Sequence, residues 1–304
     1  MLTPMRDWQA PDNWEQITTL DLHTGGEPFR VITGGGPELK GETILARRQE
    51  MIAHWDNLRT ALMWEPRGHA DMYGCIVTPP MTKGADFGVL FLHNEGYSSM
   101  CGHGIIAITT AAVETGLVPI QAPETTVRID APAGLITARA RIADGRVAGV
   151  RFENVPSFVL ECDAVIEVPG YGPISYDLAY GGAFYAYVDA AAVGLTTTPA
   201  DVDGLIAAGR AIKQAVMTAR AIPHPFEADL SFLYGTIFVG PPHQSGTESE
   251  PAHSSNVCIF AEGEVDRSPT GTGVSGRLAI HHARGELDLE TPIVIESILG
   301  TRFA

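Results

Sequence analysis

Cysteine is scarce in this chain. There are four in 304 residues, Cys75, Cys101, Cys162 and Cys258, and no Cys-x-x-Cys pair. That density excludes a disulfide framework and suits a reducing setting. Positive charge is also short, with 20 Lys and Arg against 36 Asp and Glu and a formal net charge of −16. No basic patch offsets that balance, which excludes nucleic acid and anionic membranes as partners. An anionic ligand would need local positive potential from backbone dipoles. No apolar run approaches the roughly 18 residues of a membrane span. The N-terminal Met-Leu-Thr-Pro-Met-Arg-Asp-Trp lacks the apolar core of a secretory signal, so a soluble, cytoplasmic protein is expected. No His, Cys and acidic residues share metal-ligand spacing. Gly34-Gly-Gly36 lacks the Lys-Ser/Thr of a phosphate loop and reads as a turn. No metal and no cofactor are expected.

What is present is a chain long enough for two domains, 45% hydrophobic and 18% charged, able to bury a sizeable core. Residues 1 to 15 read as a loose tail. Strands are expected at Ile17–Leu22, Pro28–Thr33, around Cys75–Val77, at Phe87–His93, and in three short runs between Thr125 and Asn154. Thr43–Met63 reads as a helix with Ile44, Met51, Ile52 and Trp55 inward and Arg47, Arg48 and Glu50 on its polar side. The second half restarts near Pro156. It has strands at Phe158–Val168, Ile174–Leu178, Phe184–Asp189, Asp229–Val239, Asn256–Ala261 and Pro292–Ile298. Its helices are Val202–Thr218 and Val274–Arg284. Gly240–Ser255 reads as a long loop of the kind that is often functional.

One stretch organises the rest: Ser98-Ser-Met-Cys-Gly-His-Gly104, followed by an apolar helix from Ile105 to Thr115. It has an echo in Asp266-Arg-Ser-Pro-Thr-Gly-Thr-Gly273. The pattern Ser-x-(Cys/Thr)-Gly-x-Gly repeats at an offset of 169 residues, from Cys101 to Thr270. Phe91 and Phe260 in the preceding strands fall on the same offset. A weaker echo pairs Gly25-Gly with Gly181-Gly. Internal similarity on this scale indicates two related domains, 1–155 and 156–290, with 291–304 a strand able to return to the first. The fold class expected is α/β, two pseudo-symmetric domains. Each is a curved, mostly antiparallel sheet or barrel around a central helix.

The chemistry follows from the motif. A thiol at a helix start is exposed to unpaired N–H groups and a partial positive charge, which favour the thiolate. Cys101 is therefore a candidate base. The amides of Gly102 and His103, and those of Gly271 and Thr272 across a cleft, form a trap for one carboxylate. Asp266 can pair with a cation. A ligand with a carboxylate and an ammonium one carbon apart is an amino acid, and the carbon between carries the acidic hydrogen. Returning a proton on the opposite face would need a second acid. The Thr270 hydroxyl is a poor one, which argues against a racemase. Cys75, Cys162 and Cys258 read as core. His23 reads as structural or functional alike, His243 and His253 as solvated loop residues that could instead close over the site. His281-His282 has no assigned role.

The Met-Cys-Gly-His motif, Asp-Arg-Ser-Pro-x-Gly-Thr-Gly and the early Asp21-Leu-His-Thr-Gly-Gly-Glu-Pro28 resemble the proline racemase superfamily, from roughly Ile17 onward. That group holds proline racemases, 4-hydroxyproline 2-epimerases and trans-3-hydroxy-L-proline dehydratases. Racemases and epimerases carry cysteine in both motifs. A Cys-first, Thr-second pair, here Cys101 and Thr270, resembles the dehydratases. The resemblance implies a diaminopimelate-epimerase-like fold, a homodimer and a small imino-acid substrate. It implies a cofactor-independent loss of water from trans-3-hydroxy-L-proline, with an epimerase or racemase as runner-up. An inactive amino-acid-binding protein is the reading from another class.

Overall fold

The computed structural model describes residues 7–243 and 252–304. The first six residues of the expected tail and positions 244–251 of the expected loop lie outside them. The first half comprises β1 (Thr18–Thr24), β2 (Glu27–Gly34), α1 (Ile44–His54), α2 (Asp56–Met63), β3 (Tyr73–Thr78), β4 (Phe87–His93), β5 (Gly96–Ser98), α3 (Gly102–Glu114), β6 (Glu124–Ala131), β7 (Gly134–Ala143) and β8 (Arg146–Glu153). The second comprises β9 (Phe158–Val168), β10 (Gly172–Tyr180), β11 (Phe184–Asp189), α4 (Val202–Ala219), β12 (Leu233–Gly240), β13 (Ser254–Phe260), β14 (Glu264–Asp266), α5 (Gly271–Ala283), β15 (Ile295–Glu296) and β16 (Arg302–Phe303).

Each half builds one eight-stranded sheet. The first runs β1-β2-β3-β4-β6-β7-β8 with β5 on β4, the second β16-β15-β13-β12-β11-β10-β9 with β14 on β13. Both are open paths, so the barrel alternative does not hold. The pairing pattern repeats. β2–β3 and β4–β6 are parallel in the first sheet, β11–β12 and β13–β15 in the second, and every other pair is antiparallel. The first sheet curls until strands at both ends, β1 and β8, touch α3. That wrapping explains why α3 is apolar nearly all round. Ile105, Ala107, Ile108, Ala111, Ala112 and Val113 are all buried. The second sheet holds α5 through β9, β10 and β11.

The expected 43–63 helix is two helices, broken at Trp55. Its inward face is also different. Ile52 and Trp55 are exposed, while Arg47 and Arg48 are buried with Ile44 and Met51. The guanidinium groups are tolerated inside because backbone carbonyls meet them. Arg47 donates to Gly41 and Pro79, and Arg48 to Tyr97. The 291–304 segment does not rejoin the first sheet. β15 pairs with β13, and the following turn, at Leu299 and Thr301, rests against Gly26 and Gly25.

Candidate active site

The two motifs bring the starts of α3 and α5 together. A Cβ built on Gly102 would lie 2.8 Å from the Cα of Gly271, and one on Gly271 would lie 3.0 Å from the Cα of Gly102. Only glycine at both positions allows this approach. First-turn amides of an α-helix have no partner inside the helix. Those of Gly102, His103, Gly271 and Thr272 are thus gathered in one place, with two helix dipoles behind them.

Beside this junction is a cavity with about 290 Å³ of empty space, lined by Tyr73, Met100, Cys101, Gly102, His103, Tyr185, Tyr234, Cys258, Phe260, Asp266, Thr270, Gly271 and Thr272. All seven residues read from the sequence as a site are among them. His243 and His253 are not. His243 bonds Glu296 and the Thr197 carbonyl, and the His253 ring bonds Ser254. Larger open clefts exist, such as one lined by Asp177, Arg277 and Arg284 with about 720 Å³ of empty space, but they contain no thiol and no helix start.

Cys101 and Thr270 occupy equivalent places and behave differently. Cys101 is extended, at φ −147°, and its sulfur folds back to accept from the Gly104 amide at 3.3 Å. His103 Nδ1 lies 3.2 Å from the same sulfur. Thr270 sits at φ +63° and makes no side-chain cap bond to α5. For a β-branched residue this backbone is strained by roughly 1–3 kcal/mol. Its hydroxyl instead donates to Asp266 Oδ2 at 2.8 Å, and Asp266 Oδ1 accepts from the Ser268 amide at 2.8 Å.

The electrostatics reverse one expectation. The helix start was expected to pull the Cys101 thiol down, yet it stands well above its ordinary value. Burial is the largest cause and the nearby Asp266 charge the next; the Gly104 amide and a hydrogen bond from Tyr73 work the other way. Burial likewise lowers the His103 imidazole, against Asp266 and a bond to the Pro28 carbonyl. Both shifts favour the neutral forms, a thiol beside an imidazole.

Several residues of the site were not read from the sequence. Tyr73, Tyr185 and Tyr234 are buried strand residues that belong to neither motif. The Tyr73 hydroxyl bonds Ser98 Oγ and lies 3.3 Å from that of Tyr234, while Tyr185 bonds Thr272 Oγ1 at 2.7 Å. Cys258 is buried as expected, but it lines this cavity. Glu27 is fully buried, with Oε2 accepting from the Arg267 amide at 2.8 Å. Burial first, and then Asp266, push its carboxyl well above the usual range. Among the described residues no group of three or more His, Cys, Asp or Glu could hold a metal ion, and no helix is long and apolar enough to cross a membrane.

A family model described as proline racemase matches residues 19–304. A protein of Colwellia psychrerythraea named trans-3-hydroxy-L-proline dehydratase is 52% identical over 300 residues, covering 98% of this chain and 83% of that protein. One from Burkholderia multivorans named 3-hydroxyproline 2-epimerase is 48% identical, covering 94% of this chain and 84% of that protein. Among solved structures, a hydroxyproline epimerase from Agrobacterium vitis with bound trans-4-hydroxy-L-proline superposes with a TM-score of 0.87 at 33% identity, covering 94% of this chain and 82% of that one.

Proposed function

The chain belongs to the proline racemase family, and on that premise we propose that it is a hydro-lyase that removes water from trans-3-hydroxy-L-proline. The observation that carries this is the asymmetry of the cavity. A thiol and imidazole stand on one side, and a hydroxyl already committed to Asp266 on the other. The name of the Colwellia relative supports the same reading.

In the proposed complex the substrate carboxylate takes the amides of Gly102, His103, Gly271 and Thr272. The ring nitrogen, as ammonium, takes Asp266. Its charge offsets the Asp266 carboxylate, one of the causes that hold the proton on Cys101. His103 accepts that proton. The thiolate then removes the α-hydrogen, and charge flows into the carboxylate, where four amides stabilise the enediolate-like state. In trans-3-hydroxy-L-proline the α-hydrogen and the 3-hydroxyl share a ring face, so the hydroxyl leaves from the Cys101 side. The enamine product tautomerises to pyrroline-2-carboxylate. No step calls for a cofactor. We place the enzyme in the cytoplasm on its scarce cysteines and as a homodimer on family resemblance.

A second reading is favoured by the Burkholderia multivorans name: inversion at the α-carbon. It needs an acid on the Thr270 side. Proton NMR in deuterated buffer with trans-3-hydroxy-L-proline, trans-4-hydroxy-L-proline and L-proline separates the two. The dehydratase consumes the first and leaves the other two uninverted. Inversion of any of the three at the α-carbon, without water loss from the first, sinks the proposal.

A further inference from the structure

The proposed elimination needs a proton for the departing hydroxyl, delivered on the ring face where Cys101 works. The groups that line the cavity narrow the choice. The Thr270 hydroxyl is across the cavity and donates to Asp266. The Tyr185 hydroxyl is paired with Thr272. Both nitrogens of the His103 ring face the Cys101 sulfur, at 3.2 and 3.6 Å. Cys258 and Tyr234 stand on β13 and β12 of the second half, which leaves Tyr73, on β3 of the same half as Cys101. Its ring meets His103 edge-on at 4.9 Å between centroids. Its hydroxyl bonds Ser98 and approaches Tyr234, and the residue lines the same cavity as Cys101.

We propose that Tyr73 is the acid that protonates the departing 3-hydroxyl, and that it recovers its proton from Cys101. The assignment rests on the dehydratase reading above. Its bookkeeping closes within the site. The Cα–H bond breaks and an S–H bond forms on Cys101. The electron pair left on Cα forms the C2=C3 bond as the C3–O bond breaks. The oxygen takes the phenolic proton and leaves as water. The resulting Tyr73 phenolate takes the proton from the Cys101 S–H within the cavity that both line, which restores both groups. No other reactant is consumed. Burial first, and then the neighbouring Cys101 and Tyr234, push the Tyr73 phenol well up, so it enters the cycle protonated. Ser98 and Tyr234 hold its oxygen and support the transient phenolate.

The test is Tyr73→Phe in deuterated buffer, with deuterium entry at C2 and water loss from trans-3-hydroxy-L-proline measured separately. Deuterium entry should stay within about tenfold of wild type while water loss falls about 100-fold or more. With trans-3-chloro-L-proline, whose leaving chloride needs no proton, the variant should eliminate within a few-fold of wild type. A variant that dehydrates at the wild-type rate overturns the assignment. So does parallel loss of exchange, dehydration and chloride elimination, which would mean that Tyr73 only positions Cys101. Should Tyr73→Phe not fold, 3,5-difluorotyrosine at this position keeps the hydroxyl and acidifies it. It should alter water loss and spare exchange, and unchanged water loss overturns the assignment. Wild-type protein that neither exchanges nor dehydrates this substrate overturns the dehydratase reading itself.

Discussion

Thr270 Oγ1 donates its proton to Asp266 Oδ2 at 2.8 Å. That bond separates two residues that the repeated motif makes equivalent. Cys101 faces its own helix start and His103, while Thr270 is turned away from α5 and spends its one donor on a carboxylate. Under the proposed mechanism, elimination rather than inversion follows from that commitment.

Placing a thiol at 270 therefore supplies the missing acid. Thr270→Cys should bring measurable inversion of trans-4-hydroxy-L-proline, absent in wild type. Dehydration of trans-3-hydroxy-L-proline should fall roughly fivefold, since one hydrogen bond of about 1 kcal/mol to Asp266 is weakened. Polarimetry reads the first and product absorbance the second. Unchanged rotation would count against the one-face account.

Burial raises the Cys101 thiol most, and the Asp266 charge is the next cause; the Gly104 amide and Tyr73 oppose them, and His103 Nδ1 lies 3.2 Å from the sulfur. Removing a negative charge favours the thiolate, so Asp266→Asn should lower the thiol. The pH profile of Cys101 alkylation by a small reagent should then move to lower pH. Substrate affinity should weaken at the same time, because the ring ammonium loses its counter-charge. A profile that stays or moves up would refute the assignment of Asp266.

Gly102→Ala places a methyl 2.8 Å from the Gly271 backbone, where no flexible side chain can give way. The junction must open. The cost should be about 1–3 kcal/mol of stability, in line with overpacking elsewhere. Turnover should fall further than stability does, because the four amides no longer converge. Thermal unfolding beside kcat/KM tests this, and a variant equal to wild type in both would mean that the junction is slack.

Glu27 carries a pH signature. Its folded-state carboxyl is raised, so the native state holds a proton that the unfolded chain has released. Its contribution is unpenalised below the ordinary carboxyl range and becomes costly as pH rises through the raised value. Glu27→Gln keeps an acceptor for the Arg267 amide and removes the titration. The variant should unfold at a higher temperature than wild type at neutral pH, and the gap should shrink toward pH 4. A gap that widens on acidification would reverse the sign.

Cys101→Ser should abolish deuterium entry and water loss together, each by about 10³-fold, since a serine hydroxyl is too weak a base at neutral pH. Full activity in that variant would end the proposal for Cys101.

Elements with a plain apolar period were legible. β4 and β11 fall on the residues expected, Phe87–His93 and Phe184–Asp189, because both are nearly continuous buried runs. The 43–63 region was not. Arg47 and Arg48 look like a solvated face until the carbonyls of Gly41, Pro79 and Tyr97, from other elements, are placed around them. Tyr73 and Tyr234 were hidden for a related reason. An aromatic residue in a strand reads as core, and it is core here as well as cavity wall.

The repeat of Ser-x-(Cys/Thr)-Gly-x-Gly, visible in the sequence alone, determined that two helix starts share one pattern and differ at Cys101 and Thr270. It determined the family through three separated motifs. Tertiary structure decided what those residues can do. Cys101 keeps its proton because the folded chain excludes water and sets Asp266 beside it, against the pull of its own helix. Thr270 donates to Asp266, and Tyr73 is brought to the cavity of Cys101 from a strand 28 residues earlier in the chain. Motif chemistry is local and survives in the order of residues. Proton affinity and hydrogen-bond commitment depend on solvent exclusion and on neighbours through space, which only the packed fold supplies.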